Sequence, residues 1–415
     1  MLFGMELLAF LILLLAIFAG FYMAWSIGAN DVANSMSTAV GAKAITLRQA
    51  VVIAAILNFA GAVLVGKHVT DTIKGGIVNT TMIGDEHAVM LGFLASLLAA
   101  AIFVTLSTWK ELPVSTTHAI IGGITGFGLI AGGMNIIAWK KLGEVAASWV
   151  LSPIAGGIIA FLVFRLIVHF VFSADDPENA TRKFGPFFIG MTFFIIFLSL
   201  FTKTRLGDML FHSIKEVLIS SIFIAFLAAL IGFFIMKKIK ERKKGTEYEA
   251  VEFLFRRLQI MTSCYVAFSH GANDVANAIA PVTVVFTNIL GNVSWIDNLT
   301  YYLLAFGGIG IAVGILTWGY KVIRTLGSRI TKLTNTRGFS VDFGAATTIL
   351  VASKLGLPIS TSHTVVGAII GVGLARGLEA VDLRVIKNIF YSWALTLPAT
   401  VVTSILIYRG LTIVF

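Results

Sequence analysis

The chain has 415 residues, 57% hydrophobic and only 13% charged, with a formal net charge of +10. Soluble domains carry about 25% charged residues, so the composition excludes a water-facing surface over most of the fold. The single cysteine, Cys264, excludes an intrachain disulfide, and with no GxxxxGK[ST] loop nothing supports an ATP-driven pump.

Apolar runs follow one another along the chain. The first, Met5 to Ala24, lacks the basic flank of a signal peptide and leads straight into a polar motif, so it is expected to be retained as a helix. Leu47 to Gly66, Ala88 to Leu106, Val145 to Phe172, Phe187 to Phe201 and Val217 to Met236 come next, then Tyr301 to Tyr320 and Ile389 to Tyr408. Each approaches or exceeds the ~20 residues that cross a hydrocarbon core. Backbone groups in lipid have no water to bond, so each is expected to be helical. The basic residues lie in short loops, where positive charge sets orientation in the bilayer rather than marking a nucleic-acid partner.

Gly28-Ala29-Asn30-Asp31-Val32-Ala33-Asn34 recurs without change as Gly271-Ala272-Asn273-Asp274-Val275-Ala276-Asn277. On a helix Asp31 and Asn34 share a face, and Gly28 with Ala29 allows either a close backbone approach or a break. Carboxylate and carbonyl oxygens together suit a hard cation. An Asp at membrane depth costs ~3 kcal/mol on insertion scales, and this sequence accepts that cost twice. A pair of water-facing caps is the plainer alternative, which the repetition argues against.

Pro113-Val114-Ser115-Thr116-Thr117-His118 likewise recurs as Pro358-Ile359-Ser360-Thr361-Ser362-His363. The apolar stretch after the first copy, Ile120 to Ile130, is short and rich in glycine, which suggests a half-helix starting at membrane depth. Such an N-terminus offers unpaired N–H groups and the positive end of a dipole, an anion site that needs no arginine. Simple N-capping by Ser and Thr is the competing explanation. His118 and His363 could orient a hydroxyl or titrate, although packing is the commoner role for such a histidine.

Order is kept between the copies, and Trp149 with Pro153 matches Trp393 with Pro398. Loop charges then differ in sign. Lys43 and Arg48 follow the first motif, whereas Asn288 to Thr300 holds only Asp297. The next loop reverses this: Lys67 to His87 mixes two lysines with Asp71, Asp85 and Glu86, while its counterpart carries Lys321, Arg324, Arg329, Lys332 and Arg337. Opposite basic bias in equivalent loops indicates opposite sides of the membrane, hence an inverted repeat. The division is 1–172 and 258–415, joined by 173–257, whose stretch 237–257 holds eight Lys/Arg and four Glu and is expected in the cytoplasm.

At these motifs the sequence resembles the inorganic phosphate transporter (PiT) family, over essentially the whole chain. The resemblance implies an all-α protein of the cell membrane with about twelve transmembrane segments, some broken, and a homodimer. It implies symport of inorganic phosphate with sodium or, in some members, protons; some relatives carry sulfate. Carried over by position, Asn30, Asp31, Asn34, Asn273, Asp274 and Asn277 would hold sodium. Ser115, Thr116, Thr117, Ser360, Thr361 and Ser362, with Asn34, Asn277, Asp31 and Asp274, would contact phosphate.

The expected function is therefore a secondary transporter, not an enzyme. It needs no cofactor beyond the coupling ions, with phosphate, sodium and the lipid bilayer as partners. Sodium is favoured over protons because the ligands are oxygens and no further buried acid–histidine relay is apparent in the sequence. An uncoupled anion channel would show flux without a cation. A membrane hydrolase using Ser115 and His118 lacks a G-x-S-x-G elbow and a reason for two copies.

Overall fold

The computed structural model describes residues 7–73, 77–203, 205–238, 246–291, 296–354 and 359–415. Outside them lie Met5 and Glu6 of the first apolar run, Pro358 of the second motif, 239–245 of the basic linker, and 74–76 and 292–295 of the compared loops.

In chain order the helices are α1 (Leu7–Gly41), α2 (Leu47–Ile73), α3 (Glu86–Trp109), α4 (Thr116–Gly132), α5 (Trp139–Ile167), α6 (Pro177–Lys203), α7 (Arg205–Leu210) and α8 (Ile214–Lys238). The second stretch holds α9 (Glu247–Leu290), α10 (Ile296–Trp318), α11 (Tyr320–Arg324), α12 (Asn335–Lys354), α13 (Thr361–Leu374) and α14 (Leu383–Val414). Among the described residues the one β-type pairing is a bridge between Val78 and Ile137.

Among the described residues eight helices are long and apolar enough to cross a membrane, while α4 and α13 are shorter apolar helices. The chain is a multi-pass membrane protein. Its outer surface is greasy: α8 exposes Ile219, Ile222, Phe223, Phe226 and Ile231, side chains that lipid accommodates and water would not. Polarity is instead turned inward, with Asn30, Asp31, Asn34, Asp274 and Asn277 each at 1–2% exposure.

The two halves interlock rather than standing apart. α4 packs on α14 as well as on α3, and α13 packs on α5 as well as on α12, so each half-helix seats against the opposite half. Likewise α1 packs on α10 and α9, and α2 on α9 and α10. This exchange brings the two motifs together. Both α1 and α9 run unbroken through their G-A-N-D-V-A-N segments, so of the two uses open to the glycines the structure shows close approach and no break. A side chain at Gly28 would strike the Ile311 carbonyl of α10, and one at Gly271 the Asn58 carbonyl of α2. The same backbone crossing is made twice, with the halves exchanging roles.

Overpacking a tight contact costs about 1–3 kcal/mol, and here the obstacle is backbone. Gly28→Ala and Gly271→Ala are each expected to lower the thermal midpoint in detergent. The double variant should lower it roughly additively, as for independent sites. An unchanged midpoint for either single variant would contradict the crossing.

Candidate binding site

Each half-helix starts in the interior on its own serine. Ser115 Oγ accepts from His118 N–H at 3.2 Å and caps α4; Ser360 Oγ accepts from His363 N–H at 3.3 Å and caps α13. The plainer reading of these two serines is thus present in the structure, and each keeps one O–H to donate elsewhere.

The loop that delivers α4 is tied down from several sides. Asn30 donates to Thr108 Oγ1 (2.9 Å) and to the Leu112 carbonyl (3.0 Å), and its Oδ1 accepts from Val114 N–H (3.1 Å). Trp393 Nε1 donates to the Pro113 carbonyl (3.2 Å), and Arg329 pairs with Glu111 at 2.6 Å. Asn30 therefore positions the half-helix, while its Oδ1 keeps a second lone pair.

Around Asp31 the halves meet directly. Oδ2 accepts from Thr116 Oγ1 at 2.7 Å; Oδ1 accepts from Ser362 Oγ at 3.2 Å and from Asn34 Nδ2 at 3.3 Å. Asn34 also donates to Ser362 Oγ (2.8 Å) and Thr361 Oγ1 (3.4 Å), and Ser362 bonds the Val114 carbonyl (3.0 Å). On the other side Asn277 Nδ2 donates to Thr117 Oγ1 (3.2 Å), and Asn273 Nδ2 to Asp274 Oδ1 (3.1 Å). The structure thus gathers Asp31, Asn34, Thr116, Thr117, Asp274, Asn277, Thr361 and Ser362 around one place, with Asn273 at its edge.

The residue between the carboxylates escapes a reading of the motifs. His270 Nε2 lies 2.7 Å from Asp274 Oδ2 and 3.7 Å from Asp31 Oδ2. Its Nδ1 lies 2.6 Å from Asn58 Oδ1, an oxygen whose orientation is set by Asn58 Nδ2 donating to the Ala54 carbonyl at 2.8 Å. Nδ1 is then the donor to Asn58, which leaves Nε2 facing the Asp274 carboxylate. A buried acid–histidine group is present after all. The signal was available: His270 directly precedes Gly271, where the first copy has Ile27, and it stands four residues before Asp274 on the same helix face.

Two further arrangements surround this centre. His118 and His363 meet edge to face with ring centroids 4.8 Å apart, flanked by Trp149 at 4.9 Å and Trp393 at 3.6 Å. The paired histidines thus pack the half-helices against each other. Toward the C-terminal end of α1, buried Asp342 accepts from Ser263 (2.6 Å), Thr38 (2.8 Å), Gln259 (2.9 Å) and Thr262 (3.2 Å). Asp342 and its ring of donors come from three helices, so no local motif announces them.

Chemically, the centre combines two carboxylates, one imidazole, several hydroxyls and amides, and the N-termini of two helices. Ligand atoms of Asp31, His270 and Asp274 all lie within 4.8 Å of one another, close enough to share a cation. A narrow cavity beside them is lined by Asn34, Ser269, His270, Asn273 and Thr361, none of them a permanent cation.

Residues 27–404 match the model of the phosphate transporter family. A Pyrococcus furiosus protein named "Putative phosphate permease PF1020" is 47% identical over 411 residues, 98% of each chain. "Inorganic phosphate transporter 2-1, chloroplastic" of Arabidopsis thaliana is 41% identical over 406 residues, 91% of this chain and 68% of that one. A solved structure described as "The sodium-dependent phosphate transporter" superimposes with a TM-score of 0.87 at 47% identity, covering 97% of this chain and 100% of that one.

Removing one member of a buried charged group leaves the others uncompensated, at about 3–5 kcal/mol. His270→Ala should therefore depress the thermal midpoint strongly, and adding Asp274→Asn should recover much of the loss. Absence of recovery would reduce His270 to a packing residue.

Proposed function

The chain belongs to the phosphate transporter family, and from that premise we propose that it moves inorganic phosphate in symport with sodium by alternating access. The observation that carries this reading is the burial of Asp31 and Asp274 against the same Nε2 of His270, at the start of both half-helices. An oxyanion drawn to the helix N-termini meets two acidic side chains and at most one compensating imidazolium. At about 4 Å each uncompensated like-charge pair costs roughly 4 kcal/mol at an effective dielectric of 20. Cations must arrive to lower that field. Oxygen ligands in the form of Asp31, Asn34, Asn273, Asp274 and Asn277 suit sodium.

In this reading the phosphate sits between the first N–H groups of α4 and α13, with Thr116, Thr117, Thr361 and Ser362 supplying uncharged donors. Ser115 and Ser360 help through their spare O–H groups, and Asn30 acts by fixing the loop ahead of α4. A loaded, nearly neutral site can cross; a half-loaded one carries charge into low dielectric and cannot. The inverted charge bias of equivalent loops supplies the two faces that alternate, with 237–257 in the cytoplasm.

The His270–Asp274 contact favours a second reading, in which a proton replaces one sodium. Proteoliposomes with labelled phosphate and separately imposed gradients distinguish the two. A sodium gradient alone should drive accumulation, and Asp31→Ala should abolish it. Accumulation driven by a pH gradient without sodium would establish the proton reading. Undiminished uptake in Asp31→Ala would refute the site.

Specificity for phosphate over sulfate follows from proton count. Near neutral pH phosphate still carries a proton and can donate to an ionised carboxylate, which only accepts, whereas sulfate cannot. Asp31→Asn and Asp274→Asn should therefore narrow the discrimination in competition uptake, by a factor on the order of 10 for one lost hydrogen bond to a charged group. An unchanged phosphate-to-sulfate ratio in both variants would eliminate this origin of selectivity.

A further inference from the structure

A second group of cations stands apart from the central site, at the opposite end of α13. Arg337, in the first turn of α12, and Arg376, just beyond α13, both turn their guanidinium groups onto one backbone oxygen. Arg337 Nη1 donates to the Lys332 carbonyl at 3.0 Å, and Arg376 Nη1 reaches the same carbonyl at 3.5 Å and Thr331 Oγ1 at 3.3 Å. Two like charges thus converge on one neutral carbonyl, with the Thr331 hydroxyl as a second acceptor for Arg376. Neither arginine forms an ion pair among the described residues. Glu252, a carboxylate near Arg337, is occupied by Thr336, whose N–H and hydroxyl donate to its two oxygens at 2.9 and 2.7 Å.

Burial sharpens the anomaly. Arg337 Nε lies out of contact with solvent and has no acceptor. Arg376 and Lys332, in contrast, are exposed. The group therefore runs from the exposed Arg376 inward to Arg337, and ends in a buried donor with nothing to bond. Orientation in the bilayer explains positive charge in a loop. It does not explain two guanidiniums held together against their repulsion, nor a buried N–H left open.

We propose that Arg337 and Arg376 form a binding site for a phosphate-bearing oxyanion, either free inorganic phosphate or the headgroup of an anionic lipid. A planar guanidinium matches tetrahedral oxyanions with paired N–H donors. One such anion neutralises the mutual repulsion and offers an acceptor to Nε. The site does not depend on how the central one works, because it uses none of the same residues.

Amide hydrogen exchange, resolved by peptide, tests it on the full-length protein in nanodiscs. In one arm the lipid is phosphatidylcholine alone and inorganic phosphate is added. In the other the lipid is an equal mixture of phosphatidylcholine and phosphatidic acid, without added phosphate. Exchange over 331–338 and 374–384 should slow severalfold in at least one arm, and R337Q/R376Q should lose that protection. Protection with added phosphate assigns the free anion, and protection with phosphatidic acid assigns the lipid. Should the double variant fail to fold, R376Q alone decides, since Arg376 is exposed and its loss leaves the packing intact. No protection in either arm, or protection that survives R376Q undiminished, overturns the site.

Discussion

Two carboxylates from opposite halves of the chain lie buried against the same nitrogen of one imidazole, and the surrounding architecture makes that tolerable. An isolated ion buried in a bilayer protein carries a desolvation penalty of several kcal/mol, so Asp31 and Asp274 have to be surrounded by donors. Those donors arrive from far away in sequence: Ser362 and Asp31 are 331 residues apart, and Asn277 and Thr117 are 160 apart. The glycine crossings of α1 with α10 and of α9 with α2 bring the acids together; the half-helices α4 and α13 bring the hydroxyls. Fold and site are one arrangement of the same contacts.

The duplication is imperfect in ways that divide labour. Asp31 is held by hydroxyls and an amide, from Thr116, Ser362 and Asn34. Asp274 is held by His270 and Asn273. The difference traces to few positions. His270 stands where the first copy has Ile27, and at the glycine crossings Asn58 takes the place that Ile311 occupies on the other side. The repeated motif thereby presents two chemically distinct carboxylates, one held by hydroxyls and an amide and one in direct contact with a titratable ring.

Much of this was legible beforehand, because a chain in lipid has few options. Long apolar runs had to be helices, and the polar heptapeptide repeated inside them had to be inward and paired. The short glycine-rich stretch after Pro113 could not span, and it became α4. Other features were not legible. Whether Gly28 breaks a helix or admits a neighbour depends on what lies across from it, and only the fold supplies Ile311. A serine before a helix reads alike as cap or ligand, and at Ser115 and Ser360 the capping bond is present. His270 is a lone histidine beside a motif, a signal that gains meaning only once Asp31 and Asn58 are placed against it. Asp342 gathers partners from α1 and α9, contacts that no local pattern encodes.

In the proposed cycle an oxyanion and its cations occupy the meeting point of the two half-helix N-termini. Arsenate shares the shape and proton count of phosphate, and its arsenic atom scatters anomalously. Crystals grown with sodium and arsenate should show one anomalous peak between Thr116–Thr117 and Thr361–Ser362, within hydrogen-bonding reach of both helix starts. A peak elsewhere in the bundle, with that position empty, would contradict the account.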